Sequence, residues 1–268
     1  MRFREEEVAT IVSVPVGASD TSESELRDDV AVPFWKRGLD ITCVILALPI
    51  LAPVMAFLAL TIKCVSSGPV FYLHERVGYR GRRFICFKFR TMKANADSEI
   101  HRRHLATLMK SDSPMVKMDS KGDPRLIPFG SFLRATGLDE LPQLLNVLGG
   151  EMSLVGPRPC LPYEYENYLP AQKKRFDTLP GLTGLWQVSG KNKTTFSEMI
   201  ALDIRYSQTK TPWLDLQIMV KTVPALLVQV AESRQKQQTA QRVDRVASSS
   251  TGAVGRVSVD QVELLGHK

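Results

Sequence analysis

Between Ile41 and Ile62 the chain carries 22 consecutive residues without a charge, ITCVILALPILAPVMAFLALTI. A run of that length matches the hydrocarbon core of a bilayer and exceeds what a core helix of an ordinary domain needs. It is not a secretory signal, because it begins only after residue 40 and no small-residue cleavage site follows before Lys63. No second run of this kind is evident in the sequence, which argues against a polytopic transporter. Pro49 and Pro53 lie inside it, four residues apart. Each removes a backbone donor and crowds the preceding turn. Two such breaks near the middle can reverse the direction of the segment, provided neighbours satisfy the freed carbonyls.

The flanks bear on that choice. The segment FWKRGLD precedes the run, with Phe34 and Trp35 beside Lys36 and Arg37, an aromatic and basic pattern typical of a membrane interface. Lys63, Arg76, Arg80, Arg82 and Arg83 follow it. A simple spanning helix concentrates bases on one side. Bases on both sides favour a hairpin that enters and leaves through one leaflet; a kinked single span is the alternative.

Charge divides the chain further. The formal net charge is +7, yet residues 1–30 hold eight carboxylates against three arginines, so everything after them is more basic still. A basic body calls for an anionic partner: a phosphate, a nucleotide, a nucleic acid or an anionic lipid surface. With 44% hydrophobic and 24% charged residues, full-length disorder is excluded. Cys43, Cys64, Cys86 and Cys160 show neither CxxC spacing nor nearby histidines, which speaks against a zinc site or a disulfide framework. There is no P-loop, and Gly181, Gly184 and Gly190 do not form a dinucleotide fingerprint.

Patterning divides the chain into a flexible acidic arm (1–32), a membrane helix with its interfacial flank (33–66), a catalytic domain (67–230) and a tail without regular structure (231–268). Val70–His74 and Phe84–Phe89 read as strands about a GYRG turn, a hairpin on which Phe84, Cys86 and Lys88 share one face and Arg90 continues it. Residues from 93 to about 110 read as helix, and His101 and His104 on it read as surface residues. Short helices are expected over Phe129–Arg134 and Leu141–Leu148, the latter stopped by Gly149-Gly150. Glu151–Val155 reads as extended and Gly156-Pro157-Arg158-Pro159 as a rigid turn. Longer helices follow over Tyr163–Asp177, Ser197–Tyr206 and Leu214–Val230. The last of these either lies on a membrane surface or packs on the core.

Asp139 and Glu140 stand at the mouth of the helix expected from Leu141, where unpaired N–H groups favour carboxylates or a phosphate. Taken alone, Asp139 is an ordinary N-cap and Glu140 an ordinary first-turn acid. Lys88, Arg90, Arg134 and Arg158 change that reading. Fixed cations near two carboxylates suit a phosphate ester, whose oxygens match guanidinium forks. Two carboxylates facing a diphosphate further suggest Mg²⁺, which takes one or two carboxylates plus substrate phosphates.

The ordered blocks KRGLD, the proline-broken run, GPVFY, KFRTM, FLRATGLDELPQLLNVLGGEMSLVGPRP and PGLTGLWQVSGK resemble the bacterial sugar transferases known as monotopic phosphoglycosyl transferases, over roughly residues 33–228. The resemblance implies an α+β, mainly helical monotopic membrane protein with a re-entrant helix broken at Pro49 and Pro53 and a small β-hairpin. It implies transfer of a hexose-1-phosphate from a UDP-sugar to undecaprenyl phosphate at the bacterial inner membrane, releasing UMP, as the first step of exopolysaccharide synthesis. In that family the Asp of an Asp-Glu dyad forms a covalent phosphosugar intermediate and the Glu helps hold Mg²⁺. These positions are Asp139 and Glu140. The family's basic phosphate ligands map to Lys88, Arg134 and Arg158, with Arg90 beside them. The family's Ser-Pro break is Ala52-Pro53 here, without the hydroxyl. The implied partners are a UDP-sugar, a polyprenyl phosphate and an anionic lipid surface rather than nucleic acid, with self-association left open. The multi-span region of longer relatives has no counterpart, so a stand-alone catalytic unit is expected. A glycosyltransferase that moves the sugar alone, and a non-enzymatic assembly scaffold, are the competing classes. The first normally needs an alternating α/β nucleotide-binding domain, which the pattern lacks.

Overall fold

The computed structural model describes residues 32–93, 125–191 and 193–257, with scattered positions between 103 and 115. The acidic arm up to residue 31, His101 and His104, and residues 258–268 lie outside the described residues.

Helix α1 (Phe34–Val65) is continuous through Pro49 and Pro53. The prolines leave the carbonyls of Ile45 and Pro49 without their helical donors. Both ends of α1 pack on the same body. Near its start, Val44 joins Phe84, Cys86, Leu144, Val147 and Met152. Near its end, Leu58 and Ile62 join Phe89, Ile127 and Leu133. The remaining face carries Leu46, Ile50, Phe57 and Leu60, each about two-thirds or more exposed, an apolar surface that water alone would not favour.

The bases before the apolar run do not face lipid headgroups as the flank pattern suggested. Lys36 is fully buried. Its Nζ donates to Asp215 Oδ2 at 2.7 Å, to the Tyr206 hydroxyl at 2.9 Å and to the Val155 carbonyl at 2.8 Å. Arg37 donates to the carbonyls of Val147 and Leu148. One turn after Lys36, Asp40 accepts from the Ser153 hydroxyl and the Leu154 N–H, both at 2.9 Å. Burial raises the Asp40 pKa above the usual carboxylate range against those two hydrogen bonds and the Lys36 charge. The start of α1 is therefore fastened to the body by buried polar contacts, and its basic residues serve that attachment.

Strands β1 (Phe71–Val77) and β2 (Arg83–Phe89) form the expected antiparallel hairpin, in register from Phe71 opposite Phe89 to Val77 opposite Arg83. The chain continues through α2 (Gly130–Thr136), a 3₁₀ segment (Leu138–Gln143) and α3 (Leu144–Gly149). Gly150, with φ 84°, ends α3 as the Gly-Gly pair predicted. Next come β3 (Ser153–Val155), α4 (Pro162–Glu166), another 3₁₀ segment (Pro170–Phe176), β4 (Gly181–Thr183) and α5 (Leu185–Val188). The helix expected over Tyr163–Asp177 is thus two short pieces, because Pro170 cannot continue the first.

Strands β3 and β4 pair in parallel in a contact that only glycine permits. A Cβ on Gly156 would lie 2.2 Å from the Leu179 carbonyl oxygen, and one on Gly181 would lie 2.0 Å from the Gly156 nitrogen. Helix α6 (Phe196–Thr209) starts at a Thr195–Glu198 capping box and buries Phe196, Met199, Ile200 and Ile204 against Tyr168, Phe176 and Trp186. Arg175 pairs with Asp203 inside this core. Cys160 is buried there, and burial pushes its thiol up to about 12, so it is inert. All four cysteines are free.

Helix α7 (Pro212–Val257) departs from expectation twice. Its first part, Pro212–Glu232, is a second helix long and apolar enough to cross a membrane, where the sequence showed one run. Lys221, the only charge between Asp215 and Glu232, had interrupted the uncharged stretch. The chain expected to lack regular structure after 231 also continues as helix to Val257. Ala, Gln, Arg and Glu in that stretch are good helix formers, and propensity outweighs the missing apolar periodicity.

Candidate active site

Helix α2 ends at Gly137, whose φ of 74° turns the chain into the 3₁₀ segment. Asp139 and Glu140 occupy the first turn of that segment. Asp139 is therefore not the N-cap expected of it; Gly137 takes that place, and no side chain caps the segment. Pro142 and Gln143 are buried, and Leu138 and Leu141 pack on the cluster that holds the end of α1. The carboxylates, by contrast, stand half-buried at the wall of a cavity.

Strand β2 supplies the first cation. Lys88 Nζ lies 2.8 Å from Glu140 Oε1. Burial lowers the lysine's pKa, but the charges of Glu140 and then Asp139 outweigh it and hold the ammonium above its ordinary value. Lys88 is thus a fixed positive charge serving both carboxylates.

The cavity is about 630 Å³, within the range of small-molecule sites. Arg134, Asp139 and Glu140 line it, as do Lys191, Lys193 and Lys221. Sequence reasoning did not single out these three lysines. The isolated charge of Lys221 in an apolar helix was the one available signal. Gln229 of α7 spans the cavity wall: its Nε2 donates to the Ala135 carbonyl at 3.0 Å and its Oε1 accepts from Lys191 Nζ at 3.2 Å.

Two expected phosphate ligands are engaged elsewhere. Arg90 is buried and donates to the carbonyls of Ser67 and Ser66 at 2.7 and 2.9 Å, tying the end of the hairpin to the exit from α1. Arg158 donates to Glu164 Oε1 at 3.0 Å. Glu164 is fully buried, and although burial opposes it, Arg158 and Arg76 hold its carboxyl below the usual range. Neither Arg90, Arg158 nor Lys88 lines the cavity; Lys88 reaches it through Glu140.

Among the described residues no three His, Cys, Asp or Glu side chains converge as a closed metal cage. Two adjacent carboxylates on a cavity wall fit a different demand, that of Mg²⁺, which completes its oxygen shell with substrate phosphates and water.

Residues 31–229 match the family model described as bacterial sugar transferase. The exopolysaccharide production protein ExoY of Sinorhizobium fredii is 40% identical over 191 residues, covering 71% of this chain and 84% of the relative. The UDP-glucose:undecaprenyl-phosphate glucose-1-phosphate transferase of Caulobacter vibrioides is 40% identical over 206 residues, covering 74% of this chain and 72% of the relative. The undecaprenyl-phosphate galactose phosphotransferase of Salmonella typhimurium, a longer protein of which 40% is covered, is also 40% identical, over 200 residues. The carboxylate pair and all but one of the residues lining the cavity, Glu232, lie within the matched region, and the chain belongs to the bacterial sugar transferase family of enzymes.

Proposed function

We propose that the protein transfers a hexose-1-phosphate from a UDP-sugar to undecaprenyl phosphate, releasing UMP, in the opening step of exopolysaccharide synthesis. The observation that carries this reading is the Asp139–Glu140 pair on the wall of a cavity that also presents Arg134, Lys191, Lys193 and Lys221. The name of the Caulobacter relative points to the same donor and acceptor classes, and that of the Salmonella relative to the same acceptor and a hexose.

In the first step a carboxylate oxygen of Asp139 attacks the β-phosphorus of the UDP-sugar. The bond from that phosphorus to the bridging oxygen breaks, and UMP leaves with the oxygen and its electron pair. Asp139 then holds the sugar phosphate as a mixed acyl phosphate. In the second step an oxygen of polyprenyl phosphate attacks the same phosphorus, a diphosphate linkage forms and the Asp139 carboxylate is regenerated. Lys88 fixes the orientation of Glu140 and lends positive charge to the dyad, while Arg134 and the cavity lysines draw in the diphosphate. Glu140, with Asp139 beside it, would hold Mg²⁺; bound there, the ion neutralises charge on the diphosphate.

The test is a panel of UDP-sugars supplied with undecaprenyl phosphate. UMP with a lipid-linked phosphosugar is expected; UDP release would identify transfer of the sugar alone, and no turnover would favour a scaffold.

The same reading makes α1 a re-entrant helix with both ends on the cytoplasmic face of the inner membrane. Its support is the packing of Val44 and of Leu58 and Ile62 on one body, since a helix seated at both ends on the same domain does not carry one end across a bilayer. In a variant lacking the native cysteines, single cysteines at residues 32 and 70 are both expected to resist a membrane-impermeant thiol reagent in intact cells. Labelling of one of them alone would mean a spanning helix.

A further inference from the structure

The cavity wall contains neutral polar groups that the phosphoryl chemistry does not use. Thr183 of β4, Gln187 of α5 and Thr222 of α7 all line it. The Thr222 hydroxyl donates to the Ile218 carbonyl at 2.8 Å. A hydroxyl has one proton, so the 2.7 Å contact between the two threonine hydroxyls runs from Thr183 to Thr222. Both protons are committed to protein acceptors. Thr183 Oγ1 thus faces a ligand as an acceptor, and no described residue donates to it. Beside it, Gln187 Oε1 is buried without a partner. That oxygen lies over the residue after Thr183, since a Cβ on Gly184 would come within 2.7 Å of it.

A hydroxyl left with only its acceptor side toward the cavity calls for a ligand group that donates. Phosphate carries no donor when ionised, and Arg134, Lys191, Lys193 and Lys221 supply the cations for it in the same cavity. A polyprenyl chain carries none. Uracil offers a single N–H between two carbonyls, and the ribose offers two hydroxyls, which UDP alone also carries. A hexose offers hydroxyl donors on successive ring carbons. We propose that Thr183, oriented by Thr222 and flanked by Gln187, is the subsite that reads the hydroxyl groups of the hexose ring of the nucleotide sugar. This rests on the reading of the cavity as a UDP-sugar site. Thr183 touches the ring; Thr222 is a positioning residue that fixes where the Thr183 proton goes, and Gln187, its Oε1 buried against Gly184, backs that part of the wall.

The experiment measures binding of UDP-glucose, UDP-galactose and UDP to the full-length protein by calorimetry, with UMP release followed in parallel. Thr183→Val keeps the shape and removes the acceptor. It is expected to weaken both UDP-hexoses about tenfold, the effect of one to two lost hydrogen bonds, while UDP binds as to the wild type; Thr183→Ser is expected to restore hexose binding. Thr222→Val releases the Thr183 proton toward the ligand, so the ratio of UDP-glucose to UDP-galactose affinity is expected to change with UDP affinity unmoved. This second variant decides the matter should Thr183→Val fail to fold. Parallel losses for UDP and the UDP-hexoses, or wild-type hexose binding by Thr183→Val, would overturn the proposal. A wild type that binds UDP-hexose but releases no UMP would sink the proposed reaction and leave the subsite to be decided by these ratios. One that binds no UDP-hexose would overturn both.

Discussion

Asp139→Asn is expected to lower turnover by roughly a thousandfold or more, about 4 kcal/mol of barrier, with the fold intact. Asparagine matches aspartate in size but offers an amide in place of the carboxylate that attacks phosphorus. The 3₁₀ segment does not depend on the lost charge, because Gly137 starts it and no side chain caps it. Two measurements check the assignment. Wild-type protein incubated with UDP-sugar and no acceptor should gain the mass of a phosphosugar on the peptide containing Asp139, and the variant should not. Initial rates should follow a ping-pong pattern in which UMP departs before the lipid acceptor binds. Substantial activity in Asp139→Asn, or kinetics that require both substrates together, would replace the covalent route with direct in-line transfer.

Lys36→Met is expected to cost about 3–5 kcal/mol of stability, the usual consequence of leaving one charge of a buried pair uncompensated. Lys36 and Asp215 are both almost fully buried and 2.7 Å apart. The Tyr206 hydroxyl, 2.6 Å from Asp215 Oδ1, would remain as a partner but carries no charge. Denaturant unfolding in detergent should show the loss. Lys36→Met combined with Asp215→Leu should recover most of it, since the two charges are then absent together. A double variant as unstable as the sum of the singles would mean that the residues act through packing and not through their pairing.

The parts of this molecule that were legible in the sequence are those whose cause is local. The alternation of Phe84, Cys86 and Lys88 placed the hairpin, and Gly149-Gly150 placed the end of α3. The Asp-Glu pair could be singled out by its basic neighbours in the sequence; of these Lys88 meets Glu140 and Arg134 shares the cavity wall, while Arg90 and Arg158 have structural partners of their own. What remained hidden depends on partners distant in the chain. Strands β3 and β4 span three residues each, too few to show a period, and their pairing rests on glycines at 156 and 181 whose closeness exists only in the fold. Lys36 resembled an interfacial base because Asp215, its partner, is 179 residues away. Arg158 has an acceptor the sequence did not reveal, because nothing in the spacing marks Glu164. The cavity itself could not be foreseen, since much of its wall is a helix whose apolar face read equally well as core or as membrane surface.

Helix α7 holds Asp215 against the start of α1, Thr222 in the cavity wall and Gln229 across to α2. From Asp215 to Thr222 the axis advances about 10 Å at the usual rise, and Pro224 then interrupts the helical hydrogen bonding before Gln229 is reached. Asp215 and Thr222 are therefore links on one bar, with Gln229 joined to it across the proline. A change at Asp215 that shifts this segment also moves Thr222, so paired variants at Lys36 or Asp215 and at Thr222 are not expected to be additive. It also means that the seat of the apolar helix and the width of the cavity share a mechanical coordinate.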